Sequence, residues 1–331
     1  MSFKSKIWVV TVLSAIFFLT TFSVVFAKSM TLKFGHVCSK DHPYNTSAKK
    51  FAQLVEENSK GSIKINVFPA GALGGERDIT ENLQMGTIDF MWNSMGVAAT
   101  FVPEVNVFNL PFIFKGREHF IKVAEGPIGK RLLNKFEKVH FKGLAFCAPI
   151  FRVPMNNRGP INTPDDIKGL KIRLMKVPMH ITTYKALGAS PSPIPFPELY
   201  SALQLGVVDA NENALGTLNT AKLYEVQKYL TLLPVFSNGS VLIMSKMSWD
   251  KLSAEQQQAI LDSVPGATET MDRDYIKTGD DGLKIMVKYG IKVNTPPSLD
   301  PFVKAVEPIY AEFLKKHPNM QSLIDEIKSV D

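Results

Sequence analysis

Cysteine and histidine are scarce in this chain, and their scarcity excludes several kinds of site. Only Cys38 and Cys147 occur among 331 residues, too few for a disulfide framework and at a spacing that matches no metal motif. The six histidines form no HExxH or similar cluster. We therefore expect no metal and no cofactor. Two interpretations of the cysteines stay open, a single bridge in an oxidising compartment or two buried thiols.

Recognisable catalytic and nucleotide-binding motifs are also missing. The chain contains no GxSxG, no Walker loop and no GxGxxG. Lysine and arginine total 38 against 31 acids, a net charge of +7, but these bases are scattered rather than clustered. We therefore expect no nucleic-acid partner. An apolar content of 45% is ordinary for a globular protein, and the length is sufficient for two domains.

The first 27 residues have the composition of an export signal. Two lysines precede an uncharged, mostly apolar run over 7–26, and small or β-branched residues stand where signal peptidase cleaves. We predict cleavage after Ala27 and a periplasmic location. The alternative is an uncleaved membrane anchor, because the run is long enough to span a bilayer. No later segment of the sequence is both long and apolar enough to do so.

Strand and helix patterns alternate along the rest of the chain. Apolar residues alternate with polar ones over 63–67, as in a half-buried strand, and Gly86 ends the helix that follows. The heptapeptide LQMGTID at 83–89 recurs as LQLGVVD at 203–209, each time with a helix end, a glycine stop and a strand. These copies predict two similar α/β domains with mainly parallel sheets flanked by helices. Ligands then bind at the carboxyl ends of the strands.

The segment 163–213 carries the main candidate site. Arg173 ends one apolar run, Asn213 follows a second, and a proline-bounded loop around Phe196 lies between them. A buried arginine needs a partner, either an internal acid or a bound anion, and its planar fork suits a carboxylate. Asn213 also suits a turn, and Phe196 also suits the core. The residues alone leave these alternatives open.

Five further residues are candidates, each with a simpler structural role beside the functional one. Arg152 lies just beyond a strand, where a surface charge would be ordinary, and Glu76 stands in the first turn of a helix, where the dipole favours an acid. Trp92 and Asn93 end another strand, so one should face a cleft and the other the core. His36 ends the first strand, where a core or loop position is the simpler interpretation.

These motifs, in this order, resemble the solute-binding proteins of tripartite ATP-independent periplasmic (TRAP) transporters, the DctP-like family. The resemblance is carried by FGHVCSKDHPYN, FPAGALGGERD, QMGTIDF, FNLPFIF, KIR and SPSPIPFPELYSALQLGVVDANENA. It implies that Arg173 grips a substrate carboxylate and that Asn213 closes the far side. The usual QENP motif is here Asn211-Glu-Asn-Ala, without its proline. The implied ligand site comprises Arg173, Asn213, Arg152, Phe196, Glu76, Asn93, Trp92 and His36.

The resemblance also implies a two-lobed periplasmic-binding-protein fold and a function. A monomer would capture a small organic acid, such as a sugar acid, by hinge closure and deliver it to the TRAP permease subunits in the membrane. We expect 28–149 with about 239–278 to form one lobe, and 150–238 with about 279–331 to form the other. Two other classes stay open from the residues alone, a ligand-sensing module for a membrane receptor and an exported enzyme with a two-lobed cleft.

One stretch departs from the family pattern. DSVPGATE places Pro265 and Gly266 inside what is usually one long helix that links the lobes. Proline removes a backbone donor and clashes with the preceding turn, at a cost of about 3 kcal/mol in a helix interior, and glycine adds about 1 kcal/mol. We therefore predict a helix that ends near Ser263, a turn, and a second helix from about Thr268.

Overall fold

Two β-sheets flanked by helices organise the residues that the computed structural model describes, namely 29–147, 150–237 and 239–331. The predicted signal segment lies outside these ranges. Within them, no helix is both long and apolar enough to cross a membrane. The strands are β1 Met30–Gly35, β2 Ile63–Phe68, β3 Phe90–Ser94, β4 Phe141–Cys147, β5 Phe151–Asn156, β6 Lys171–Leu174, β7 Ser190–Pro193, β8 Ala210–Ala214, β9 Tyr229–Thr231, β10 Phe236–Ser237, β11 Ser240–Ser245 and β12 Lys292–Asn294.

The helices range from single turns to one of 36 residues. They are α1 Pro43–Asn58, α2 Glu76–Gln84, α3 Met95–Ala98, α4 Arg117–Glu125, α5 Pro127–Lys135, α6 Pro178–Ala186, α7 Leu199–Gln204, α8 Leu215–Thr220, α9 Lys246–Trp249, α10 Ala254–Tyr289, α11 Asp300–Lys316 and α12 Gln321–Ser329. Short 3-10 segments include Pro103–Asn109 and Phe196–Glu198.

Among the described strands, all but one in each sheet point the same way. The first sheet has the order β2-β1-β3-β11-β4, and β11 runs against its neighbours. The second has the order β12-β9-β5-β8-β6-β7, with β10 beside β5, and β5 runs against the rest. The prediction of mainly parallel sheets is therefore confirmed, with one reversed strand in each.

Each reversed strand is the one that the chain enters at a short connection between the two sheets. It passes from β4 in the first sheet to β5 in the second between Cys147 and Phe151, and returns from β10 to β11 between Ser237 and Ser240. We call the part built on the first sheet lobe I and the part built on the second sheet lobe II. The two short connections join the lobes at neighbouring positions, because β4 pairs with β11 and β5 pairs with β10.

The repeated heptapeptide occupies corresponding places in the two lobes. Its first copy ends α2, puts Gly86 at φ +75° and leads into β3, while the second ends α7, puts Gly206 at φ +69° and leads into β8. Glycine adopts this left-handed conformation without strain, so it ends a helix sharply. β3 pairs in parallel with β1, as β8 does with β6. The prediction of two similar α/β units is confirmed.

The prediction of a helix break at Pro265 and Gly266 is wrong. α10 is one helix of 36 residues, which begins with a capping box at Ser253 and ends at Gly290 in the left-handed conformation. The proline deprives the Leu261 carbonyl of its donor. Leu261 and Pro265 both lie on the exposed side of the helix, so water can donate a hydrogen bond to the Leu261 carbonyl instead.

Packing against α1 holds α10 together through this point. Ser47 Oγ donates a hydrogen bond to the Ala267 carbonyl at 2.7 Å. Gly266 permits the close approach of the two helices, since a Cβ there would lie 2.5 Å from Cδ1 of Leu54. Tertiary contacts therefore outweigh the poor helix propensity of the Pro-Gly pair. Farther along, α10 packs against α8 of lobe II, so this helix contacts both lobes.

The division of the chain into lobes stays a proposal, and the C-terminal helices suggest one refinement. α11 packs on α6 of lobe II, yet Tyr310 Oη also donates to the Pro111 carbonyl of lobe I at 2.8 Å. α12 contacts lobe I, where His119 Nε2 lies 2.8 Å from the Ile327 carbonyl and Arg131 pairs with Glu326. We therefore propose that α12 belongs with lobe I.

Two glycines of α10 give a matched test of its packing on α8. A Cβ on Gly282 would lie 2.7 Å from Cβ of Asn219, whereas a Cβ on Gly279 would find its nearest neighbour at 3.8 Å. We expect Gly282→Ala to lower the free energy of unfolding by about 1–3 kcal/mol through overpacking. Gly279→Ala should raise it by about 0.4–1 kcal/mol through helix propensity.

Urea unfolding followed by circular dichroism measures both changes. Equal effects of the two substitutions would contradict the close contact between α8 and α10.

Candidate functional site

A cavity with an empty volume of about 470 Å³ lies between the lobes, at the carboxyl ends of β3, β6 and β8. Residues of both lobes line it. It brings together five of the eight candidate residues, Glu76 from lobe I and Arg152, Arg173, Phe196 and Asn213 from lobe II.

Arg173 is a buried cation without a carboxylate. Its side chain is 1% exposed, and its Nε donates to the Ile194 carbonyl at 2.7 Å. Its Cζ lies 5.9 Å from the centre of the Phe196 ring. Nη1 is buried and finds no hydrogen-bond partner among the described residues, and none of the described ion pairs includes this arginine. Burial, and then Arg152, lowers the pKa of Arg173 to about 10, so the guanidinium is charged at neutral pH.

Arg152, by contrast, is neutralised inside the protein. Its Nε lies 2.5 Å from Oε2 of Glu212, and its Nη2 donates to the Glu212 carbonyl at 2.6 Å. Burial opposes the charge, yet Glu212 raises the pKa of Arg152. Burial would likewise raise the pKa of Glu212, but Arg152 and His180 together hold it below its ordinary value. This pair therefore adds no net charge to the cavity.

Asn213 is held by a chain of amides. Its Oδ1 accepts from Arg152 Nη2 at 3.0 Å, and its Nδ2 donates to Asn211 Oδ1 at 2.8 Å. Asn211 Nδ2 in turn donates to Gln227 Oε1 at 2.9 Å. Since an amide nitrogen carries two hydrogens, one N–H of Asn213 is left for a ligand.

Glu76 contributes an acceptor from the opposite lobe. It is the first residue of α2, and its Oε1 accepts from the Ser94 backbone N–H at 2.6 Å. The side chain is partly exposed, at the edge of the cavity. Burial raises the pKa of Glu76, although the Ser94 hydrogen bond opposes this. Its second oxygen can accept from a ligand hydroxyl.

His36, Trp92 and Asn93 do not line the cavity, so the expectation that one of Trp92 and Asn93 faces the cleft is wrong. Every residue of β3 is buried, and Ser94 at its end lines the cavity in their place. Asn93 Nδ2 donates to Thr80 Oγ1 of α2 at 2.9 Å. His36 is fully buried against Asn45 of α1.

Sequence analysis missed a group that joins the lobes at the cavity wall. His42 Nε2 lies 3.1 Å from Thr217 Oγ1 and 3.1 Å from Tyr275 Oη. His42 Nδ1 accepts from the Tyr44 backbone N–H at 3.1 Å, so the neutral ring carries its proton on Nε2. Lobe I, lobe II and α10 therefore meet at one imidazole. The members are far apart in sequence, and no local pattern connects them.

Glu212 was also missed, although a signal for it existed. It stands between two asparagines in a fully buried strand, and a buried acid requires a cation. Arg152, one of the candidates, supplies it.

Cys38 and Cys147 form no disulfide. Of the two interpretations that the sequence left open, the structure shows two buried thiols. Cys38 lines the cavity, and burial raises the pKa of its thiol. Cys147 Sγ lies 3.5 Å from the Thr268 carbonyl of α10. Across the described ranges, no group of three side chains could hold a metal ion.

Comparison with known proteins gives consistent likenesses. Residues 34–317 match the family described as bacterial extracellular solute-binding protein, family 7 (DctP). A TRAP periplasmic solute binding protein from Polaromonas sp JS666, bound to D-erythronate, is 36% identical with a TM-score of 0.88, over 92% of this chain and 99% of that one. The sugar acid binding protein DctPAm from Advenella mimigardefordensis strain DPN7T, in complex with galactonate, is 31% identical with a TM-score of 0.88, over 92% and 99%.

A sequence relative agrees with these structures. The 2,3-diketo-L-gulonate-binding periplasmic protein YiaO of Escherichia coli strain K12 is 34% identical over 249 residues, 75% of this chain and 76% of that protein. The two crystal structures share the fold over 92% of this chain.

The buried histidines predict a loss of stability in mild acid. Burial lowers the pKa of His36 to about 4 and that of His42 to about 3. In the unfolded chain both titrate near pH 6.5, so below that pH the unfolded state binds protons that the folded state does not. The folded state therefore keeps its full stability above about pH 6.5. At pH 5 each of the two histidines should lower the free energy of unfolding by about 2 kcal/mol.

Urea unfolding at pH 8 and pH 5 tests this. His36 and His42 together should contribute about 4 kcal/mol to the difference between the two pH values, and His42→Gln should remove about half of that. The comparison stops at pH 5 to stay above the titration of Glu212. A His42→Gln variant with the same pH dependence as the wild type would contradict the assignment.

Proposed function

The chain belongs to the family 7 bacterial extracellular solute-binding proteins, and on that premise we propose that it captures a small organic carboxylate in the periplasm and delivers it to a TRAP membrane permease. The observation that carries the proposal is the Arg173 guanidinium, buried in an inter-lobe cavity without a carboxylate partner. A bound carboxylate would supply the missing charge and accept from the unused Nη1.

The ligand class follows from the other groups in the cavity. Because Glu212 already pairs with Arg152, Arg173 is the guanidinium of the cavity that has no ion-pair partner among the described residues. Glu76 and the Asn213 N–H can bond hydroxyl groups farther along the molecule. A sugar acid or a related hydroxy acid fits this arrangement, and relatives bound to D-erythronate and galactonate support it.

Capture proceeds by closure of the lobes over the acid. Arg173 and Glu76 reach the same cavity from different lobes, so neither lobe alone can enclose a ligand. His42 of lobe I contacts Thr217 of lobe II beside it. α10 spans the two lobes, and two short connections between sheets leave them able to rotate.

Transport without catalysis is part of the proposal. Burial raises the pKa of the Cys38 thiol, which disfavours a thiolate nucleophile in the cavity. Mass spectrometry of the acid released from purified protein identifies the ligand. The same acid, recovered unchanged after prolonged incubation, would agree with binding alone, and turnover would favour an enzyme.

Arg173 gives the sharpest test of the binding role. We expect Arg173→Ala to weaken binding of the released acid by about 2–5 kcal/mol, because the carboxylate loses its only charged partner. Arg173→Lys should also bind poorly, because an ammonium cannot reproduce the fork. Asn213→Ala should cost less, about 1–3 kcal/mol.

Isothermal titration calorimetry measures these losses. Arg158→Ala, at an exposed arginine of the same lobe, serves as the control and should change affinity by less than about 0.5 kcal/mol. Near-wild-type affinity in Arg173→Ala would exclude the proposed site.

Substitution of Thr217 gives a test of the proposed closure of the lobes over the ligand. Thr217→Val keeps the shape of the side chain but removes the hydroxyl that meets His42 across the lobes. A lost hydrogen bond of ordinary strength should speed ligand dissociation by about 2- to 10-fold. In the control, Thr220→Val, the lost hydroxyl bonds the Gly216 carbonyl within α8, so dissociation should not change.

Stopped-flow kinetics measures dissociation, and small-angle scattering should show a smaller radius of gyration with ligand bound. A particle of the same size in both states, with unchanged dissociation in Thr217→Val, would rule out closure.

A further inference from the structure

A second cavity adjoins the ligand cavity on the far side of Phe196. Its empty volume is about 630 Å³, against about 470 Å³ for the first, and both values include space that is open to solvent. Val37, Cys38 and Phe196 line both cavities, so they form the wall between them. Of the three, Phe196 has by far the largest side chain.

The Phe196 ring is held in place from several sides. Pro195 caps the 3-10 segment Phe196–Glu198, and Pro197 lies within it, so the backbone here has little freedom. Pro197 meets lobe I, since a Cβ on Gly71 would lie 3.1 Å from its Cγ. The Arg173 guanidinium lies over the ring. The ring also packs against both hydrophobic clusters of the protein, and these contacts hold it in place.

The two cavities differ in their chemistry. The first contains the charged groups of Arg152, Arg173 and Glu76. The second, as far as the chain is described, is lined by no charged side chain, and apolar residues such as Leu199 and Leu223 dominate it. A carboxylate in the second cavity would find no charged partner, so its burial would be unfavourable. An apolar group would bind favourably there, because the cavity removes it from water.

We infer that Phe196 is a partition that sets the upper size of the ligand, and that the space behind it takes a neutral, apolar substituent once the partition is removed. The acid remains anchored at Arg173, and its tail extends past position 196 into the second cavity. The inference rests on the proposed function, because it requires a carboxylate in the first cavity.

A matched pair of probes tests this inference, D-erythronate and its 4-O-benzyl ether. They share the carboxylate and the neighbouring hydroxyls and differ only in the apolar tail. The wild type should bind the ether at least 10-fold more weakly than the parent acid. In Phe196→Ala this ratio should reverse in favour of the ether. Phe196→Leu, which retains a branched apolar side chain, should give an intermediate ratio.

Filling the second cavity supplies the control. Ala221 lines that cavity but not the first. The double variant Phe196→Ala with Ala221→Phe should lose the gain in affinity for the ether. Its affinity for the parent acid should equal that of Phe196→Ala alone. A general structural defect would move both probes together, and so it cannot produce this pattern.

The outcomes are distinguishable. A wild type that binds the ether as tightly as the parent acid overturns the partition, as does a Phe196→Ala variant that weakens both probes by the same factor. Either result leaves the proposed function standing. If the wild type binds neither these acids nor the acid released from the purified protein, the proposed function fails and the inference with it.

Discussion

The most important constraint on this structure is the compensation of charge in the buried space between the lobes. Two arginines reach the same inter-lobe cavity, and an interior with little water cannot hold two unbalanced cations. Glu212 pairs with Arg152, whereas Arg173 forms no ion pair among the described residues and its Nη1 is buried without a hydrogen-bond partner. The internal pair orients Asn213 as well, so one buried carboxylate sets both the charge of the site and its geometry. We propose that a bound carboxylate supplies the partner that Arg173 lacks.

The path of the chain explains why the site lies between lobes. Each sheet is mainly parallel, so the carboxyl ends of its strands gather at one edge, and the two short connections bring these edges face to face. Arg152 is the second residue of the reversed strand β5, just after the chain has crossed, and this brings it beside Glu212 and Asn213 of β8. A pair of successive α/β units without the crossing would have kept the same residues apart.

Local patterns predicted much of this fold and part of the site. The glycine stops and the repeated heptapeptide predicted both α/β units, because a left-handed glycine after a helix depends on its own backbone alone. The helix break at Pro265 was predicted in error, since the contacts with α1 that hold the helix come from residues some 220 positions away. Equivalent positions in the repeat also diverge. Asn213 reaches the cavity, whereas Asn93 packs on Thr80, and only the neighbouring elements decide between them.

The close packing of α10 has a consequence for how this protein can evolve. The helix meets α1 at Gly266 and α8 at Gly282, each at a distance that leaves no room for a methyl group without rearrangement. A substitution on either partner helix therefore has to be accepted by the same third helix. Recombination that exchanged one lobe with a relative would set a foreign α8 against Gly282, which here packs closely on Asn219. Exchange of one lobe alone would therefore disturb the packing of α10, whereas a substitution at the cavity wall leaves that packing intact.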